Sequence, residues 1–135
     1  MSFKPQHRLS YALELYDSEF SGEVHNRCII HQAYYAALNQ VQYEIENRLF
    51  FIVDDEDRKK QSHKAFIDAC ENQLGKLVAG DVRRQLLVSI VNNLRRAKRL
   101  RETADYRLDS NIDKTSAQVA LRHAQEIFDT LEQFD

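Results

Sequence analysis

A chain of 135 residues, 43% hydrophobic and 30% charged, is long enough to bury one core, and its 3 Gly and 1 Pro leave little turn chemistry for a multistranded sheet. No apolar run approaches the ~18 residues of a membrane span and the polar N-terminus lacks a secretory leader pattern, so one all-α domain over residues 1–135, cytoplasmic and off the membrane, is expected. The net charge of −2 hides an asymmetry: from Asp81 to Arg107 eight basic residues stand against three acids, leaving +5 there and −7 on the rest. That distribution suits either one surface for phosphate groups or a solvated helix face paired with acidic neighbours.

Residues 7–20 place Leu9, Ala12, Leu13, Tyr16 and Phe20 at three- and four-residue steps, which predicts an inward-facing helix stripe started by Pro5 and broken by Ser21-Gly22. A second helix, Glu23 to about Leu49, carries Ile30, Tyr34, Ala37 or Leu38, Val41, Ile45 and Leu49 on one stripe, with Ala33 and Ala36 small enough to admit a close neighbour. Tyr34 and Tyr35 suit either a core with hydroxyls at its edge or stacking on a base. Phe50-Phe51-Ile52-Val53 leads into a solvated loop or helix start, Asp54 to Lys60, whose four acids and three bases satisfy one another in water. The spacing and turn glycine of a calcium loop are absent there.

A third helix runs from Ser62, as N-cap, to about Leu77, with Phe66, Ala69, Cys70 and Leu74 inward and Gly75 or Gly80 ending it. His63 lies in its first turn, open to a ligand or proton-transfer role or to partial exposure beside the cap. Cys28 and Cys70 belong to no CxxC or Cys/His cluster and read as two buried thiols. The fourth helix, Asp81 to Tyr106, is capped by Asp81. With Ile90 as zero and 100° per residue, Leu94, Ala97 and Arg101 fall within about 40° of it, and Leu86, Leu87 and Ala104 within about 60°. Arg101 thus sits on an apolar face, where a guanidinium must find an anion, reach out to water or meet a partner surface; Asp105, one turn on, is the nearest anion in the chain. After a polar break at Arg107 to Asp113, a fifth helix reaches Phe134, with Val119, Leu121, Ile127, Phe128 and Leu131 inward and Asp113 or Thr115 capping. The expected architecture is a bundle of about five helices with the second and fourth as a long antiparallel core pair.

Arg101-Glu102-Thr103-Ala104-Asp105-Tyr106 resembles the Arg-x-x-Ala-Asp-Tyr signature that closes a core helix in some HEPN domains (higher eukaryotes and prokaryotes nucleotide-binding). His31-Gln32-Ala33-Tyr34-Tyr35-Ala36-Ala37-Leu38-Asn39 is similar to that family's Arg-Ser-Ala-Tyr-Tyr-Ala-x-x-His segment, with His at the Arg position and Asn at the His position. Ser62-His63-Lys64 is similar to a Ser-His-Lys segment of several members, so the likeness spans residues 7 to 134 in helix order. It implies RNA or a nucleotide as ligand, a homodimer, no cofactor or metal, and a protein partner such as a nucleotidyltransferase-like antitoxin in a bacterial defence or toxin–antitoxin system. Active members resemble one another in an Arg followed, after four to six residues, by His, the Arg stabilising charge on phosphorus and the His moving a proton. Here the place after Arg101 and four further residues is Tyr106, a poor base with a reference pKa near ~10.

The residues implied are Arg101, Tyr106 and Asp105 for catalysis, Arg95, Arg96, Lys98, Arg99, Arg101 and Arg107 for nucleic-acid phosphates, and His31, Tyr34, Tyr35, Asn39 and His63 as site lining. Three readings follow: a binder of RNA or a nucleotide, a divergent metal-independent ribonuclease toxin using Arg101 and Tyr106, or a non-catalytic interaction module in which Arg101 and Asp105 form a structural pair. Whether the chain is an enzyme stays open at this stage.

Overall fold

The computed structural model describes residues 4–60 and 62–134, and these are all-α, with no strand among them. The elements are α1 Pro5–Asp17, α2 Glu23–Glu44 running on into a π-helical turn Ile45–Leu49, α3 Asp55–Lys60, α4 Ser62–Gly75, α5 Val82–Tyr106 and α6 Lys114–Glu132. Six α-helices stand where the sequence predicts about five. The addition is α3, whose acids Asp55, Glu56 and Asp57 fill the first turn and whose bases Arg58, Lys59 and Lys60 fill the last, the order that complements a helix dipole. Asp54 accepts from the Asp57 amide at 2.9 Å and starts that turn. The cap expected of the Ser62 side chain lies outside the described residues.

Two other helix starts follow the sequence. Asp81 accepts from the Arg83 amide and Asp113 from the Ser116 amide, each at 2.9 Å, occupying amides that a first turn leaves without partners. Helix C-termini are closed by arginines instead. Arg84 of α5 donates to the Leu74 carbonyl at the end of α4, and Arg48 of the π-turn donates to the Leu131 and Phe134 carbonyls at the end of α6. Arg27, near the start of α2, donates to the carbonyls of Thr103, Ala104, Arg107 and Ser110 around the end of α5. Each guanidinium combines hydrogen-bond donors with a positive charge at the negative end of a dipole.

Helix α2 lies in the core against α1, α5 and α6. Ala33, Ala36 and Ala37 are fully buried, so the small residues of the stripe sit where packing is tightest. Tyr34 is buried as well. Leu13 and Phe20 do not join this core: α1 ends at Asp17, which leaves Phe20 beyond the helix and 75% exposed, and Leu13 turns to solvent. Cys28 also departs from expectation. It is exposed, whereas Cys70 is buried and its thiol is pushed up to about 12 by desolvation. No described helix is long and apolar enough to cross a membrane.

Candidate functional site

The end of α5 meets the N-terminal half of α2 and the first turn of α4, and most of the implied site residues converge there. Arg101 is only 6% exposed. Its guanidinium carbon stands 5.3, 5.8 and 5.6 Å from the ring centroids of Tyr34, Tyr35 and Tyr106, an aromatic enclosure favourable to a cation. Nη1 lies 3.4 Å from the Tyr106 hydroxyl and 3.6 Å from Asp105 Oδ2, while the buried Nε has no hydrogen-bond partner among the described residues. A desolvated guanidinium therefore holds one loose carboxylate and an unused donor, an arrangement costly to bury.

Asp105 is shared. His31 Nδ1 lies 3.1 Å from its Oδ2 and 3.3 Å from its Oδ1. On the other flank the Tyr34 hydroxyl lies 2.9 Å from His63 Nδ1. Tyr34 is buried and its ionisation is pushed well up by desolvation, so it remains a phenol and its proton needs an acceptor; it donates to His63 Nδ1, leaving the His63 proton on Nε2. Burial, then the positive charges of Arg101 and Lys98, hold the His63 imidazole below its ordinary value, which keeps it neutral near pH 7. Both imidazoles touch the Tyr35 ring, His31 at 4.6 Å and His63 at 5.3 Å between centroids. Asn39 sits further along α2 and accepts from Arg8 Nη1 at 3.1 Å, and the Arg8 guanidinium in turn lies 5.7 Å from the Tyr35 centroid.

The predicted phosphate-binding set divides. Lys98, Arg99 and Arg95 line an open cleft of about 660 Å³ between α4 and α5, together with Lys64, Asp68 and Glu102. Arg95 is paired with Glu71 across that cleft and Lys64 with Asp68, whereas Lys98 and Arg99 form no ion pair among the described residues. Arg96 points to the other side, where its charge helps lower His123 on α6. Arg107 is exposed beyond the end of α5, where its carbonyl accepts from Arg27.

Arg27 is the residue that sequence reasoning missed. It fastens the turn that carries Asp105 and Tyr106, through carbonyls 76 to 83 positions away, and no local pattern announces such partners. Among the described residues no three His, Cys, Asp or Glu side chains gather as metal ligands would. Compared with protein-family models, curated proteins and solved structures, the chain finds no match, and its site is read from its own geometry.

Proposed function

We propose that this is a HEPN-like helical domain that binds single-stranded RNA, with Arg101 and the α4–α5 cleft as the phosphate-binding surface. The observation that carries the reading is the buried Arg101 guanidinium, which has an unused Nε donor, only a shared carboxylate at 3.6 Å, and three tyrosine rings around it. Single strands are held by combining cations that track the backbone with aromatic faces for the bases. Lys98 and Arg99 supply the first, and Tyr106, 72% exposed, supplies an accessible ring beside Arg101. Arg101 and Tyr106 include no base at neutral pH, so the pair on its own supports binding over cleavage.

In this reading α2 and α5 run antiparallel, which accords with residues 27, 31 and 34 meeting residues 104, 105 and 101. The protein works as a cytoplasmic homodimer, in which the exposed Phe20, Val24 and Leu108 are covered by a second copy while Tyr106 stays open to the RNA. Sedimentation showing only monomer at micromolar concentration would remove the dimer.

The binding test is titration of a fluorescent single-stranded RNA at two salt concentrations. Each single-strand phosphate contact contributes about 0.7 to the slope of log affinity against log salt, so replacing Lys98 and Arg99 together by Ala flattens it by about 1.4. Arg96→Ala, on the far side of α5, leaves the slope nearly unchanged. Absence of RNA binding at low salt overturns the proposal.

A further inference from the structure

We propose that the segment from Phe50 to Val53 is an open docking edge that takes an extended peptide of a partner protein, basic and apolar in composition, by β-strand addition. The inference is independent of the RNA reading. Phe50 lies beyond the C-terminal end of α2 whereas Arg101 meets its N-terminal half, a separation of roughly 20 Å along the helix.

The π-helical turn Ile45–Leu49 ends where the Phe50 amide donates to the Ile45 carbonyl at 2.7 Å. Phe50 takes the left-handed conformation, φ 54° and ψ 36°, and among the described residues it alone does so with a side chain. Glycine commonly closes such helix ends because a side chain there crowds the backbone. A phenylalanine in that place is strained, and its ring is 71% exposed, so burial within this chain does not offset the strain. Side chains then alternate. Phe51 and Val53 pack against the core, while Ile52, 75% exposed, faces solvent as Phe50 does. A two-residue period belongs to a strand, here in a chain with no strand among its described residues. No hydrogen bond among the described residues uses the backbone of Phe51, Ile52 or Val53. The segment thus offers what strand addition needs: unpaired amides and carbonyls for main-chain bonds, and an apolar side chain at every second position for specificity.

Charge complementarity identifies the occupant. The segment runs into Asp54, Asp55 and Glu56, all exposed. Neighbouring acids are matched, Glu46 by Arg58 and Asp57 by Lys64, but Asp55 and Glu56 form no ion pair among the described residues. Lys59 and Lys60 stand at the far end of α3. A second copy of this edge would bring no free cation to these acids, because Arg48, the cation beside Phe50, is committed to the α6 carbonyls. A partner strand with its own lysine or arginine supplies one. Antiparallel pairing is the more stable kind per residue, and it sets the basic residues of the peptide ahead of its apolar ones: a cation stands opposite Asp54 when apolar side chains stand opposite Ile52 and Phe50.

The test uses the full chain and a dye-labelled, end-capped peptide of sequence Arg-Lys-Thr-Val-Thr-Val, followed by fluorescence anisotropy, with hydrogen exchange measured by NMR on the complex. Expected are saturable binding that weakens about tenfold or more when Asp and Glu replace the Arg and Lys of the peptide, and slower exchange at alternate amides between Phe51 and Val53, as a ladder on one edge requires. Phe50→Gly separates docking from folding. It relieves the left-handed strain, so the melting temperature should not fall, while peptide affinity drops about tenfold or more. Ile52→Thr keeps a β-branched side chain at an exposed position and should weaken binding in the same direction. No binding at about 1 mM peptide, equal binding of the acidic peptide, unchanged affinity in both variants, or unaltered exchange between Phe51 and Val53 each overturns the inference. Self-association of the chain that Phe50→Gly abolishes would place a second copy on this edge and overturns it as well. RNA affinity should be unchanged in both variants, so the two readings fail separately.

Discussion

Replacing Arg27 by Ala removes one guanidinium from four backbone carbonyls at once. Two of its bonds are short, 2.6 Å to Ala104 and 2.7 Å to Ser110, and the two to Thr103 and Arg107 are 3.4 and 3.1 Å. A hydrogen bond to a charged group contributes about 1.5–3 kcal/mol, and a cation at a partly buried helix C-terminus adds up to ~2 kcal/mol. The Arg27 side chain is 15% exposed, so water replaces some of this at the rim. Counting only the two short bonds at the low end gives a loss of about 3 kcal/mol, and its partner Glu23, half exposed, adds little. For a domain of this size the melting temperature should fall by on the order of 10 °C. Thermal unfolding followed by circular dichroism measures it, and hydrogen exchange at the Ile112 amide, which donates to Glu23 beside the same cluster, should accelerate. A fall of less than about 2 °C would refute the argument that this arginine closes α5.

Two further outcomes follow from the core. Asn93 donates to the Ser89 carbonyl and so accepts from His123 Nδ1 at 2.8 Å, and burial, followed by Arg122 and Arg96, holds His123 below its ordinary value. The folded state then binds a proton less readily than the unfolded one, so this stability is fully present above about pH 6.5 and lost as pH falls below it; His63 adds the same sign. The loss of melting temperature between pH 7.5 and 5 should therefore be smaller in His123→Gln than in the wild type, and an equal loss would show that His123 is not involved. Ala33→Leu and Ala36→Leu insert volume at fully buried positions of α2 and should each cost about 1–3 kcal/mol, measured as a lower denaturation midpoint at unchanged slope.

Helical phase was enough to place Arg101 among buried residues, because its position relative to Ile90 and Leu94 depends only on the α-helical repeat, and α5 is unbroken from Val82 to Tyr106. The same phase could not say what surrounds it. Tyr34, Tyr35 and His63 reach Arg101 from α2 and α4, and only a likeness between short segments singled them out together. Cation placement shows the limit from the other side. Arg95, Arg96, Lys98 and Arg99 look equivalent as a charge run, yet Arg95 is tied to Glu71 and Arg96 faces the α6 side, differences set by helix neighbours. Phe20 was misplaced because the apolar spacing continues three residues past Asp17, where Ser18 has already ended the helix through its bond to the Leu15 carbonyl.

Arg101 also separates a residue kept for stability from one kept for binding. A buried guanidinium with an unused Nε and one carboxylate at 3.6 Å has lost hydration without full replacement, and exchanging such a charge for an apolar side chain of similar length is often neutral or stabilising. Arg101→Met keeps most of the volume between the tyrosine rings and leaves Asp105 paired with His31. Its melting temperature should equal or exceed that of the wild type, while RNA affinity falls. Arg101→Ala leaves a cavity against Tyr34 and should instead cost about 2–4 kcal/mol, as truncation of long buried side chains does. If Met destabilised the fold as much as Ala, the guanidinium itself would be holding the helices together, and the interaction-module reading would gain at the expense of the phosphate site. A stable Arg101→Met protein that no longer binds RNA places the residue among those retained at a cost in stability because a ligand needs the charge.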